Sequence, residues 1–170
     1  GTTLIGTGSS INVSPTVTTT YFVRAEGSCN TTACTQVTVN VSSNTVGGST
    51  SISAPTACIN TTVGLNLTGQ NGAVVNWEMN FNGGGWSSIG GAGNTSITSP
   101  SLSAVGTYEF RAVVQNSPCA TQLSSVSSVT VVPATVGGTA SPAIASNCLG
   151  SNTTVSLSGN TGAVLFWEFR

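Results

Sequence analysis

The sequence predicts an all-β protein built of sandwich domains, and three observations carry that reading. Short runs alternate apolar and polar residues: Val37-Thr38-Val39-Asn40-Val41, Val63-Gly64-Leu65-Asn66-Leu67, Thr107-Tyr108-Glu109-Phe110-Arg111 and Val129-Thr130-Val131. A period of two puts alternate side chains on one face of a strand. Each run is bounded by Gly, Ser, Asn or Pro, the residues of turns. The third observation is an internal repeat. No stretch carries a 3.6-residue period, so almost no helix is expected.

The repeat is read directly. Thr45-Val46-Gly47-Gly48 returns as Thr135-Val136-Gly137-Gly138. Cys58 and Cys148, Leu67 and Leu157, Gly72-Ala73-Val74 and Gly162-Ala163-Val164, and Trp77-Glu78 and Trp167-Glu168 keep the same offset of 90, with 13 identities over 36 aligned positions. The start of the chain resembles the second half of the repeat: Thr20-Tyr21-Phe22-Val23-Arg24-Ala25 mirrors Thr107-Tyr108-Glu109-Phe110-Arg111-Ala112. Residues 45–134 are therefore expected to form one complete repeat. Residues 1–44 form the C-terminal part of a preceding one, and residues 135–170 the N-terminal part of the next. The chain reads as a window of a longer tandem array.

Within the complete repeat seven strands are expected, in order. The first (46–53) starts in the repeated Thr-Val-Gly-Gly phrase, and the second (62–68) carries Val63, Leu65 and Leu67 on one face. The third (73–81) holds Trp77 among polar neighbours; the fourth (86–90) follows the turn Gly83-Gly84-Gly85. The fifth (95–102) runs past Ile97, the sixth (107–115) alternates through Tyr108 and Phe110, and the seventh (124–132) ends in Val129-Thr130-Val131. Seven short strands with a Trp on the third are the signature of an immunoglobulin-like sandwich. Ser103-Ala104-Val105-Gly106-Thr107-Tyr108 resembles the tyrosine corner before the sixth strand. Phe110 stands where antibody domains carry a Cys, so apolar packing is expected in place of the central disulfide. Trp77, Trp167, Tyr21, Tyr108 and Phe110 are the expected core aromatics.

Composition excludes several functions. Thr, Ser, Asn and Gly number 27, 25, 15 and 21 of 170 residues, whereas only 4% are charged and there is no Lys, Asp or His. Without His or Asp there is no Ser-His-Asp triad and no histidine metal site. Four scattered Glu do not build a calcium site, and three Arg at net charge −1 do not make a nucleic-acid surface. No run is long and apolar enough to span a bilayer, and the first residues, with no charged start before an apolar run, are not expected to be a signal peptide. No cofactor or metal is expected, and no enzymatic activity. The seven Asn-x-Ser/Thr triplets, at Asn12, Asn30, Asn40, Asn60, Asn66, Asn94 and Asn152, are mostly what chance yields in such a composition.

Five cysteines are an odd count. Cys58 lies just before the second expected strand and Cys119 just after the sixth. If those strand ends share a pole, the two thiols pair and stabilise the fold by roughly 4 kcal/mol. Cys29–Cys34 is a competing local bridge, because Cys29 aligns with Cys119 and Cys34 is an extra thiol. Cys148 corresponds to Cys58, and its partner lies outside the chain. Disulfides imply an oxidising, extracytoplasmic location.

The charges also have an arrangement. Glu78 follows Trp77, and Arg111 stands three residues after Tyr108. With the aromatics facing inward, both point outward on neighbouring strands, so a cross-strand Glu78–Arg111 pair is expected. Trp86, with Phe81, is the candidate for stacking a sugar; the alternative is that Trp86 packs at the sheet margin.

The stretch Ile11 to Asn30 and the phrase Thr135-Val136-Gly137-Gly138 resemble the Ig-like repeats of giant surface proteins of Bacteroidota, adhesins of gliding and attachment exported by the type IX secretion system. The resemblance implies a non-enzymatic stalk or filament segment at the cell surface. Its partners would be neighbouring repeats or neighbouring copies in a fibre, and surface glycans. Two alternatives stay open: a carbohydrate-binding sandwich, and a strand-exchanging subunit of an extracellular fibre. With so few charges to protect strand edges, either turns or glycans cover the edges or the edges associate sideways.

Overall fold

A computed structural model describes residues 3–143 and 145–170. The described residues form strands and turns, with no helix. The strands are β1 (Thr19–Val23), β2 (Thr35–Val39), β3 (Ser49–Ile52), β4 (Thr56–Cys58), β5 (Gly64–Thr68), β6 (Ala73–Phe81), β7 (Trp86–Gly90), β8 (Ser96–Thr98), β9 (Gly106–Gln115), β10 (Gln122–Leu123), β11 (Ser127–Val132), β12 (Thr139–Ser141) and β13 (Ser156–Ser158).

Strands β3 to β11 make a sandwich. One sheet runs β3-β5-β8; the other runs β4-β11-β9-β6-β7, with β10 on the end of β9. Alternation along the sequence becomes alternation of burial. On β5 only Leu65 and Leu67 are buried, and on β9 the buried residues are Tyr108, Phe110, Ala112 and Val114. These meet Val63, Val74, Trp77, Leu102, Val129 and Val131 in one core. Trp77 and Phe110 are fully buried. Aromatic side chains of this kind remove roughly 150–250 Å² from water, on the order of 4–6 kcal/mol each. The indole of Trp77 also donates to the Asn94 carbonyl at 2.9 Å, so its polar edge is satisfied.

Three expected strands end differently from their sequence pattern, each time because a side chain or a proline takes over a ladder bond. The expected strand 46–53 is a bridge from Val46 to Asn71 followed by β3, and the chain then crosses to the other sheet as β4. Pro55, which has no N–H to give to a ladder, stands at the crossing, and its carbonyl accepts Thr130 N–H at 2.9 Å. β4 then runs parallel to β11. The expected strand 124–132 starts only at Ser127, because the Ser124 hydroxyl accepts Ala112 N–H and donates to the Ser125 carbonyl, both at 2.8 Å. The expected strand 95–102 shortens to β8, because Ser99 accepts Val63 N–H at 3.0 Å through its hydroxyl. Abundant Ser and Thr thus act as local hydrogen-bonding groups for backbone. The sandwich edges are blunted by brevity rather than by charge: β3, β4 and β8 have 4, 3 and 3 residues, and the pairing of β7 carries a bulge beside Trp77.

The flanking segments are two small ribbons, β1–β2 and β12–β13. Ser49, Thr50 and Ser51 pair with Thr68, Leu67 and Asn66; Thr139, Ala140 and Ser141 pair with Ser158, Leu157 and Ser156. The Val46–Asn71 bridge likewise returns as Val136–Thr161. Every one of these partners is displaced by 90 residues. The flanks differ from the central unit in cover. Trp77 shares the core with Leu102 and its strand pairs with β9, whereas residues 135–170 hold no counterparts of those elements, and Trp167 is 55% exposed rather than in a core. Tyr21 is only half-buried, for the matching reason that β1 and β2 have no strand across from them.

The expected Cys58–Cys119 bridge is overturned by topology. Cys58 ends β4 opposite Val132, at the pole where β9 begins, since Gly106 pairs with Val131. Cys119 follows the far end of β9, next to Ser43. Ten residues of strand put the two thiols roughly 30 Å apart, far beyond the Cα spacing of about 7 Å that a disulfide tolerates. Strands of like parity run in the same direction, so the second and sixth expected strands begin, rather than begin and end, at a common pole. The Cys29–Cys34 bridge is also not formed: Cys29 sits in the turn closed by Gly27 N–H on the Asn30 carbonyl, and Cys34 stands just before β2. All five cysteines are free thiols, Cys148 among them.

Candidate functional site

The outward face of β6, β7 and β9 collects the chemistry of the sandwich. Because Tyr108, Phe110 and Ala112 point inward, Glu109 and Arg111 must point outward; on β6 the same holds for Glu78 and Asn80. Pairing places Glu78 opposite Arg111 on one side and Ser88 on the other, and Asn80 opposite Glu109 and Trp86. Glu78, Glu109 and Arg111 are all the charged residues between 46 and 133, and they share one face.

Their groups are committed to one another. Arg111 Nε donates to Glu78 Oε2 at 2.7 Å, the two side chains being 21% and 22% exposed. The guanidinium lies 4.0 Å over the ring of Trp86, a cation–π contact. Asn80 Nδ2 donates to Glu109 Oε2 at 2.8 Å, and Asn80 Oδ1 accepts Gly85 N–H at 3.0 Å. That last bond closes the glycine turn and sets the start of β7, which is how Trp86 comes to lie beside Arg111. Ser88 donates to Asn76 Oδ1 at 2.7 Å and extends the row. The arrangement is a hydrogen-bonded lattice that holds sheet register; a guanidinium already occupies a face of the Trp86 ring. Phe81, the second stacking candidate, packs on Tyr108 with ring centroids 4.6 Å apart and belongs to the core margin.

The cross-strand pair of Glu78 and Arg111 was legible as period-two alternation on adjacent strands. Glu109 and Asn80 were not singled out from sequence. The alternation that turns Arg111 outward also turns Glu109 outward, but Asn80 gains significance only from the register that brings it to both Glu109 and Gly85. At the corner before β9, Tyr108 Oη accepts the backbone N–H of Ala104 at 3.1 Å. Among the described residues no group of three or more His, Cys, Asp or Glu gathers, and no helix is long and apolar enough to cross a membrane.

No curated protein matches the chain. Residues 46–133, the sandwich just described and 88 of the 170 residues, match the family described as Domain of unknown function (DUF8696), and the chain belongs to that family.

Proposed function

We propose that the chain is a non-enzymatic structural segment, a stalk or filament of tandem immunoglobulin-like sandwiches in an extracellular bacterial surface adhesin used in attachment or gliding. The observation that carries it is the recurrence at an offset of 90, which holds for sequence and for strand pairing alike: Ser49–Thr68 with Thr139–Ser158, and Val46–Asn71 with Val136–Thr161. Units that repeat with the same register and short connections extend a chain as a rod. The immunoglobulin-like reading is supported by the two sheet orders, by the buried Trp77 on β6 and by the Tyr108–Ala104 corner. The resemblance of Ile11 to Asn30 to Bacteroidota surface repeats supports the location.

The site favours this reading over sugar binding. Arg111 contacts both Glu78 and Trp86, so the Trp86 ring serves register first. The deciding experiment is the intact mass of the native protein from a producing bacterium, with peptide mapping and protease shaving of live cells. Expected are peptides that run through Gly1 and Arg170, released from the cell surface, in a protein far heavier than 16.9 kDa. A cytoplasmic product, or one that shaving leaves untouched, contradicts the proposal.

A further inference from the structure

The chain enters and leaves the central sandwich at opposite poles, and the two segments that do so run side by side in the same direction. At the entry pole the buried Thr45 hydroxyl accepts Asn116 N–H at 3.0 Å, and Asn116 Nδ2 donates to the Ser43 carbonyl at 2.8 Å. From there residues 48–59 run along residues 125–132, and bonds join the two over the whole distance. Ser125 N–H meets the Gly48 carbonyl at 3.0 Å. Thr50 bonds Ser125 through its N–H and its hydroxyl, at 3.0 and 2.8 Å, and its carbonyl accepts from Ser127 at 2.9 Å. Thr130 N–H meets the Pro55 carbonyl at 2.9 Å, β4 pairs in parallel with β11, and Ile59 N–H closes the series on the Val132 carbonyl at 2.9 Å.

We infer that this ladder is a load-bearing lock, in which Thr50, Ser125 and Ser127 are the rungs nearest the entry pole, and that it resists extension of the chain by shear. A pull along the chain draws residues 45–48 out through one pole and residue 132 out through the other. Segments that run in parallel and are drawn in opposite directions slide along each other. The rungs then share the load and have to give together. The ribbon β1–β2 is the opposite case: it is antiparallel with Thr19 opposite Val39, so a pull on its ends opens one rung at a time.

The hydroxyl residues gain a task from this. β3 and β11 belong to different sheets, and no strand pairing joins them. Thr50, Ser125 and Ser127 bond the two with side-chain oxygens instead, and the backbone pairing of β4 with β11 supplies the rest of the lock. The lock belongs to the sandwich itself; that its load arises in attachment or gliding rests on the stalk reading above.

The test is single-molecule extension of the full 170-residue chain, held by its two ends under reducing conditions. Expected is gradual opening of the ribbons, then one abrupt step of roughly 250–300 Å as residues 46–133 give way. Forced unfolding is governed by the unfolding rate. Thr50→Val removes the hydroxyl contacts to the Ser125 carbonyl and Ser127 Oγ, and at fixed load should raise that rate roughly 5–30-fold. Ser88→Ala removes a 2.7 Å bond between β6 and β7, off the loaded pair, and should change the rate less than about twofold. Burial of Trp77, read by fluorescence, shows that each variant is folded. If Thr50→Val exposes Trp77, Ser125→Ala carries the comparison, because it removes only the acceptor of Thr50 N–H. Extension of the sandwich without a step overturns the shear lock. Equal effects of Thr50→Val and Ser88→Ala overturn the assignment of the rungs. Both of those results leave the stalk reading to the shaving experiment, whereas an abrupt step in a protein that shaving leaves untouched overturns the stalk and keeps the lock.

Discussion

Cys58 and Cys119 stand at opposite poles of one sandwich, with the length of β9 between them. Mild oxidation of the chain followed by non-reducing peptide mapping should therefore yield no monomer-derived peptide joining the two. Alkylation of the native protein should label Cys29, Cys34, Cys58 and Cys148, which are exposed, faster than the half-buried Cys119. A Cys58–Cys119 peptide from monomer would contradict the strand order.

Tyr108 anchors the turn into β9 through a single hydrogen bond from Ala104 N–H. Tyr108→Phe keeps the ring in the core and removes only the acceptor. The expected loss is about 1 kcal/mol, or roughly 4–8 °C in Tm for a domain of this size. Thermal melts of the parent and variant check it; an unchanged Tm removes the corner from the stabilising contacts.

The repeated Thr-Val-Gly-Gly phrase has a steric cause in the central unit. A Cβ on Gly47 would overlap the Leu123 carbonyl of β10, whereas a Cβ on Gly137 would meet nothing within 4 Å. Gly47→Ala should therefore cost about 3 kcal/mol, since backbone rather than a flexible side chain must give way. Gly137→Ala should stay within about 0.5 kcal/mol. Chemical denaturation of the two variants, followed by the burial of Trp77, separates them.

Arg111 makes two contacts that can be removed in sequence. Glu78→Gln keeps the shape and weakens the ion pair, for an expected cost of about 0.5–1 kcal/mol that shrinks in high salt. Arg111→Ala removes the pair and the contact over Trp86 together and should cost about 1–2 kcal/mol, with Trp86 more exposed to fluorescence quenchers. If Trp86 were instead a sugar platform, Arg111→Ala would leave stability unchanged and alter retention on immobilised glycans.

Low charge does not leave the sandwich edges open. β3, β4 and β8 are too short to template a neighbour over any length, and Thr50 is held across the sheets by Ser125 and Ser127: its N–H and hydroxyl bond Ser125 at 3.0 and 2.8 Å, and its carbonyl accepts from Ser127 at 2.9 Å.

The sequence by itself determined the all-β class, the approximate place of seven of the nine strands in the central unit (β4 and β10 were not foreseen), and the partnership of Glu78 with Arg111. All of these follow from a period of two and from turn residues, which are local properties of the chain. It also exposed the repeat, because identical phrases need no fold to be recognised. Tertiary structure alone decided the rest. Which pole receives Cys58 depends on strand direction summed over four intervening strands, so a single error of parity moved a thiol about 30 Å. Whether Trp77 or Trp167 is buried depends on strands far along the sequence that cover one and not the other. Asn80 acquired its place between Glu109 and Gly85 from register across two neighbours at once. Burial and long-range pairing are properties of what comes to lie opposite a residue, and neighbouring letters carry no record of that.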